Sequence, residues 1–123
     1  MKPVILYLDD DAGCLNVFRA LFADDYDVRT AATPAEARAV LRESFADIII
    51  SDQNMPEIEG KEFLREAARL SPHSCRGLLT GAMHVGDVIF EMGDGLIHFF
   101  VPKPWTEAEM RRVLERALLR RAS

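Results

Sequence analysis

The sequence predicts an α/β fold of five βα units, in which helices cover both faces of a five-stranded parallel sheet. Two observations carry this prediction. Short apolar runs alternate with longer segments whose apolar residues recur at spacings of three and four. Some of the runs are also nearly continuous, as is typical of parallel strands buried on both faces. The runs are PVILYL (3–8), DVRTAA (27–32), ADIIIS (46–51), CRGLLT (75–80) and IHFFV (97–101).

An amphipathic segment follows each run and is predicted to be a helix. In the first, Phe18 and Phe22 lie on one apolar stripe. Thr33 and Thr106 are the predicted N-caps of the second and last helices, because each precedes a glutamate by three residues. The third helix is predicted to stop before Pro72. Its stripe consists of Phe63, Leu64, Ala67 and Leu70, and a short fourth helix is predicted from about Val85 to Met92.

Length and charge narrow the class of protein. The 123 residues suit a single domain over 1–123, in which about 120–123 is either the frayed end of the last helix or the start of a linker. The net charge is −5, from 15 basic and 20 acidic residues. Because there is no basic excess to displace counterions, we expect no direct binding of nucleic acid.

Two further observations concern the cellular compartment of the protein. Cys14 and Cys75 form no C-x-x-C pair, and two buried thiols in a reducing compartment are the simplest interpretation. Apolar runs are all shorter than the roughly 18 residues of a membrane span. We therefore expect a soluble protein of the cytoplasm, with no membrane association.

The predicted strands deliver polar side chains to one edge of the sheet. Ligands of open parallel sheets bind beyond the carboxyl ends of the strands. The first strand ends at residues 9–11, all aspartates, the third at Asp52, the fourth at Thr80 and the fifth at Lys103. The second ends at two alanines, so we expect it at the border of the sheet and outside the site.

These residue types fit the transfer of a phosphoryl group. Converging carboxylates repel one another unless a hard cation neutralises them, and Mg²⁺ prefers carboxylates, waters and phosphate oxygens. A carboxylate beside such a cation is able to attack phosphorus. A lysine ammonium and a threonine hydroxyl would stabilise the phosphoryl oxygens.

Four stretches of the sequence resemble a known family. The stretches ILYLDDD, DIIISDQNMPEIEG, LLTGA and FFVPKPW occur in the order and spacing of the receiver domain of bacterial two-component response regulators. The ending resembles that of a subgroup with a K-P-W motif, whose Lys-Pro bond is of the cis type. The resemblance spans nearly the whole chain. It implies the flavodoxin-like doubly wound fold, with strand order 2-1-3-4-5.

The resemblance also implies a metal site and a phosphoacceptor. Asp52 would accept the phosphoryl group. Asp10 and Asp52 would bind Mg²⁺ (or Mn²⁺) directly, together with the backbone carbonyl of Asn54, and Asp9 would act through a metal-bound water. The turn after Asp52 would aim that carbonyl at the metal, and Gly60 would let the loop pass into the third helix.

Thr80 and Lys103 would contact the phosphoryl group, and Phe100 would be the aromatic residue of the switch. The implied donor is a sensor histidine kinase or a histidine phosphotransfer protein. The implied output, a domain or a separate protein, would bind the face made by the fourth helix, the fifth strand and the last helix. Such a domain is no enzyme toward a separate substrate, since it catalyses only its own phosphorylation and dephosphorylation.

Simpler roles compete for some of these residues. Asp11 is better explained as a helix cap. Phe100 is first of all a core residue, and its switch role rests on the resemblance alone. Pro102 removes a strand donor just before the key lysine. The histidines and cysteines lack the spacing of a zinc site.

Three alternative functions remain to be compared with these residues. A phosphorylation-independent pseudo-receiver would bind a partner with the same fold, and the complete acidic, threonine and lysine set argues against it. A magnesium-dependent hydrolase would need a second carboxylate just after Asp52, where Gln53 and Asn54 stand, and a cap. A flavodoxin-like cofactor binder would need a phosphate-binding loop after the first strand, which here is acidic.

Overall fold

The computed structural model of the chain describes residues 1–81, 92–93 and 95–122. Five strands form one parallel sheet in the order β2-β1-β3-β4-β5. This confirms the predicted fold, the strand order and the border position of the second strand. The strands are β1 (Val4–Leu8), β2 (Asp27–Ala31), β3 (Ile48–Asp52), β4 (Cys75–Thr80) and β5 (Phe99–Pro102).

Four helices lie between or after the strands in the described part of the chain. They are α1 (Ala12–Phe22), α2 (Pro34–Glu43), α3 (Gly60–Leu70) and the C-terminal helix (Glu107–Ala122). The short helix predicted from about Val85 to Met92 falls largely outside the described residues. The proposed linker at about 120–123 stays a prediction, although helix extends through Ala122.

The core has one layer on each face of the sheet. In β3, Ile48 and Ile50 face α1 and the C-terminal helix, whereas Ile49 faces α2 and α3. All three are completely buried. Successive residues of a strand point to opposite faces, so burial on both faces requires the continuous apolar run seen in the sequence.

Both predicted threonine caps are confirmed. The Thr33 hydroxyl accepts a hydrogen bond of 3.2 Å from the Glu36 backbone N–H. The Thr106 hydroxyl accepts one of 3.2 Å from the Glu109 N–H, and the Glu109 carboxylate accepts from the Thr106 N–H at 3.1 Å. These reciprocal bonds satisfy donors that the first turn of a helix leaves free.

Two details differ from the sequence prediction. Leu70, assigned to the apolar stripe of α3, is the last residue of that helix and is 47% exposed. The fifth strand begins two residues later than predicted, at Phe99, and ends at Pro102. The proline is tolerated because β5 is a border strand of this sheet. No described helix has both the length and the apolar character needed to cross a membrane.

Candidate functional site

Three carboxylates meet at the carboxyl edge of the sheet. Asp9 and Asp10 follow β1, and Asp52 ends the neighbouring strand β3. One carboxylate oxygen from each lies within 4.8 Å of the others. Asp9 and Asp52 are 1% and 5% exposed, whereas Asp10 is open to solvent. The group therefore has two buried members and one member that faces water.

Lys103 brings a positive charge into this group from the loop after β5. Its Nζ lies 2.5 Å from Asp52 Oδ1 and 3.8 Å from Asp9 Oδ2. The Lys103 backbone N–H donates to the Thr80 carbonyl at 2.9 Å, which extends the pairing of β4 and β5 by one residue. The Lys103–Pro104 peptide bond is cis. The hydrogen bond to Thr80 and the ion pair with Asp52 hold Lys103 across the end of β4.

The two partners shift each other's titration. Burial raises the pKa of Asp52, the hydrogen bond from Lys103 opposes this, and the charges of Asp9 and Asp10 add to the rise. Burial lowers the pKa of Lys103, but the hydrogen bond to Asp52 and the charges of Asp52 and Asp9 outweigh it, so the net shift is upward. The ammonium form of Lys103 is therefore strongly favoured beside these carboxylates.

Asp9 is oriented by contacts that the sequence did not predict. The Tyr7 hydroxyl donates a 2.6 Å hydrogen bond to Asp9 Oδ2, and the Asp11 N–H donates one of 3.0 Å to Oδ1. Burial raises the pKa of the Tyr7 phenol far above its ordinary value, and the bond to Asp9 adds to this. A tyrosine within a fully buried strand needs a hydrogen-bond partner, and that signal was available in the sequence.

Asp11 has the capping role predicted for it. It is the N-cap of α1, and its Oδ1 accepts hydrogen bonds from the N–H groups of Gly13 at 2.8 Å and Cys14 at 3.3 Å. The side chain of Asp11 is thus committed to the helix. The metal-ligand prediction for Asp9 and Asp10 is unaffected by it.

Thr80, Asn54 and Phe100 lie around the group in different ways. Thr80 ends β4 and is 1% exposed, and its hydroxyl donates to the Gly81 carbonyl at 3.1 Å. Asn54 is exposed in the loop after β3. Phe100 is partly buried and packs against the core layer that includes Leu78. The geometry thus joins the acidic residues with Lys103, and the roles of Thr80, Asn54 and Phe100 remain predictions.

Two residues that follow Asp52 shape the loop into α3. A Cβ on Gly60 would lie 2.3 Å from the Asp52 carbonyl oxygen and 2.8 Å from Leu78 Cδ1, so only glycine fits there. Gln53 is 4% exposed, and its side chain bonds to Glu59 and Lys61. The role of Gly60 is predicted from the sequence, whereas that of Gln53 is not.

The donor set fits a hard divalent cation. Three carboxylates against one ammonium leave two negative charges in excess, two of the carboxylates being buried. Oxygen donors of this kind are the ligands that Mg²⁺ and Mn²⁺ prefer. A divalent ion would balance the charge, and the exposed Asp10 leaves the group open to solvent for its entry.

An open apolar groove adjoins the group on the side of α1. It encloses about 750 Å³ between α1 and the loop that precedes the C-terminal helix. Val17, Leu21 and Trp105 line it, together with Tyr7 and Lys103. Val17 is 55% exposed. The groove therefore leads from an apolar surface to the ammonium that contacts Asp52.

Comparisons with a family model and with curated proteins both point to response regulators. Residues 5–115 match the family model of the response regulator receiver domain. The chain is 29% identical over 104 residues to the hydrogenase transcriptional regulatory protein HoxA of Cupriavidus necator, covering 85% of this chain and 22% of that protein. It is 29% identical over 119 residues to the transcriptional regulatory protein GlrR of Escherichia coli, covering 95% and 27%.

A solved structure shows the same likeness over the whole domain. The crystal structure of a response regulator receiver domain protein from Clostridium thermocellum superposes with a TM-score of 0.89 at 28% identity. The match covers 98% of this chain and 97% of that one. The chain spans about a quarter of the length of the two regulatory proteins and nearly all of the receiver structure.

Proposed function

This chain belongs to the response regulator receiver domain family, and on that premise we propose that Asp52 accepts a phosphoryl group in a reaction that needs Mg²⁺ or Mn²⁺. Asp10 and Asp52 would bind the ion directly with the backbone carbonyl of Asn54, and Asp9 through a water. The family acts in two-component signalling by phosphorylation.

One observation carries the assignment of Asp52. It is the carboxylate that the Lys103 ammonium contacts, at 2.5 Å, within a cluster of three acidic side chains. Burial raises the pKa of Asp52, and the ammonium opposes that rise and so supports the ionised, nucleophilic form of the carboxylate. The other carboxylates are less suited, since Asp9 is occupied by Tyr7 and Asp10 lies in solvent.

The proposed reaction is a direct displacement at phosphorus. An Asp52 oxygen forms a bond to the phosphorus of a phosphohistidine, and the P–N bond breaks with its electron pair going to the histidine nitrogen. An ion held by Asp10, Asp52 and the Asn54 carbonyl would supply positive charge for the oxygens of the transferring group. Lys103 and the Thr80 hydroxyl would hold two of those oxygens. Attack by water on the same phosphorus would later release phosphate and regenerate Asp52.

For Thr80 to do this, its hydroxyl must leave the Gly81 carbonyl. We propose that this movement starts the switch. Thr80 turns toward the phosphoryl group, Phe100 repacks into the space it leaves, and the face around β5 and the C-terminal helix changes. The remaining element of that face, the fourth helix predicted from about Val85 to Met92, falls largely outside the described residues.

The apolar groove supports a protein donor. A helix of a histidine kinase or phosphotransfer protein that packed on Val17 and Trp105 would bring a phosphohistidine to the side of Lys103.

We place the domain in the cytoplasm, where such donors act and where its two free cysteines stay reduced. Its net charge of −5 argues against direct contacts between this domain and nucleic acid.

The test is intact mass after incubation with acetyl phosphate and Mg²⁺. We expect an adduct of one phosphoryl group, absent with EDTA and absent in Asp52→Asn. Asp24→Asn, which neutralises an exposed aspartate elsewhere, should be modified like the wild type. An adduct that survives in Asp52→Asn would move the acceptor to another residue. Absence of any adduct would favour the phosphorylation-independent pseudo-receiver.

A further inference from the structure

The residue after Asp52 is a buried glutamine whose backbone and side-chain nitrogen and oxygen atoms each make a hydrogen bond. Gln53 is 4% exposed. Its side-chain Nε2 donates to Glu59 Oε2 at 2.8 Å, and its Oε1 accepts from the Lys61 N–H at 3.1 Å. Its backbone N–H donates to the Leu79 carbonyl at 2.9 Å, and its carbonyl accepts from the Gly60 N–H at 3.0 Å.

The orientation of the amide follows from its partners. A backbone N–H is only a donor, so the atom facing Lys61 must be the oxygen of Gln53. An ionised carboxylate is only an acceptor, so the atom facing Glu59 must be the nitrogen. A carboxylate or an apolar side chain of the same size would leave one or both of these partners without a hydrogen bond.

Gln53 therefore caps the start of α3 from outside the helix. The first N–H groups of a helix lack partners within it, and here Gln53 serves those of Gly60 and Lys61. Glu59 occupies the N-cap position, yet its side chain makes no capping bond to α3. Its carboxylate is turned instead toward the Gln53 amide.

These bonds close the loop that carries Asn54. Residues 54–59 leave Gln53 and return to it through the side chain of Glu59 and the backbone of Gly60. The backbone of Asn54 directly follows this anchored residue. The position of its carbonyl is thereby tied to the contacts of Gln53, although Gln53 itself offers no ligand to an ion.

We propose that Gln53 is a positioning residue for divalent-cation binding, acting with Glu59 to hold the Asn54 carbonyl in place. This rests on the proposed function, because it presupposes an ion at the acidic cluster. Side chains that orient the ligands of a metal contribute strongly to affinity. Loss of the Gln53–Glu59 contact should therefore weaken ion binding by about tenfold.

The experiment is calorimetric titration of the unphosphorylated protein with Mg²⁺, so no turnover is involved. Glu59→Ala removes the acceptor from an exposed position, and Glu57→Ala removes the same charge from the same loop as its matched control. Glu59→Gln keeps an oxygen that the Gln53 amide can reach. Gln53→Leu removes the amide itself, and the melting temperature of each variant in EDTA reports on folding.

We expect the Mg²⁺ dissociation constant to rise about tenfold in Glu59→Ala and Gln53→Leu. In Glu57→Ala and Glu59→Gln we expect only a small change in this constant, of similar size in both variants. Equal affinity of Glu59→Ala and Glu57→Ala would overturn the inference and leave the proposed function intact. So would a lower melting temperature of Gln53→Leu with unchanged affinity. If the wild type bound no Mg²⁺, the ion site and this inference would both fail. If Gln53→Leu does not fold, the comparison of Glu59→Ala with Glu57→Ala decides.

Discussion

Lys103 Nζ lies 2.5 Å from Asp52 Oδ1 and 3.8 Å from Asp9 Oδ2, so one ammonium neutralises part of the charge of two buried carboxylates. A divalent ion at the same carboxylates would meet this ammonium as a like charge. A phosphoryl group on Asp52 would meet it as an opposite charge. The two events should therefore respond in opposite directions to the loss of Lys103.

Lys103→Met tests this, because methionine keeps most of the chain length and removes the charge. We expect Mg²⁺ to bind about three- to tenfold more tightly, since the repulsion is gone. We expect the rate of phosphorylation by acetyl phosphate to fall about 100-fold, since the phosphoryl oxygens lose a cation. Calorimetry and intact mass measure the two effects. Lys61→Met in α3 is the control, and weaker Mg²⁺ binding by Lys103→Met would contradict the prediction.

Tyr7→Phe removes one hydroxyl and keeps the ring that packs on Phe18, with ring centroids 4.8 Å apart. The buried Asp9 carboxylate would lose a 2.6 Å hydrogen bond. We expect the free energy of unfolding in EDTA to fall by about 1–3 kcal/mol, as for other bonds to charged groups. Urea denaturation measures it. Tyr26→Phe, in the same core layer, controls for the loss of a phenol hydroxyl. It should lower the free energy of unfolding by less than Tyr7→Phe does.

Gly77→Ala should disturb the pairing of β4 and β5. A Cβ at this position would lie 2.1 Å from ring atoms of Phe99, so the ring would have to move. We expect a loss of about 1–3 kcal/mol in the free energy of unfolding. Gly81→Ala is the matched control, because no atom of the described residues, its chain neighbours apart, lies within 4 Å of its added Cβ.

A compensating change gives the stricter test of that contact. In a Phe99→Leu background the ring is absent, so Gly77→Ala should cost clearly less there than in the wild type. The difference between the two costs is the coupling energy of the pair. Equal costs in both backgrounds would show that the ring is not what the added methyl group meets.

His98 should make stability depend on pH. Its Nδ1 accepts a 2.9 Å hydrogen bond from the Arg76 N–H, which requires the neutral ring. Burial, followed by the charges of Arg76 and Arg120, lowers the pKa of His98 from 6.5 to about 4. Between these values the unfolded chain binds the proton and the folded one does not. Stability from this group is thus complete above pH 6.5 and is lost as the pH falls toward 4.

His98→Asn should remove this dependence while keeping an oxygen that can accept from Arg76. We expect the wild type to lose about 1–3 kcal/mol more than His98→Asn between pH 7 and pH 4. Urea denaturation at several pH values measures the difference. Protonation of carboxylates at low pH lowers the free energy of unfolding of both proteins, so this contribution cancels in the comparison. Parallel curves for the two proteins would mean that His98 is not held neutral.

The sequence by itself determined the fold and the identity of the cluster. Nearly continuous apolar runs require strands buried on both faces, and the carboxyl ends of parallel strands share one edge. Whatever ends those strands must therefore lie close together. For this reason Asp9, Asp10, Asp52 and Lys103 could be assigned to one site from local patterns alone. The capping role of Asp11 followed in the same way from its neighbours in the chain.

Only the tertiary structure decided which side chains hold that site. Tyr7 bonds to Asp9, and Gln53 bonds to Glu59. Such contacts depend on strand register, on rotamers and on the path of a loop. From the sequence alone, several other polar residues would be equally good candidates for these hydrogen-bond partners. Periodicity reports which face of an element is buried, but it does not report the partner that a buried polar atom finds there.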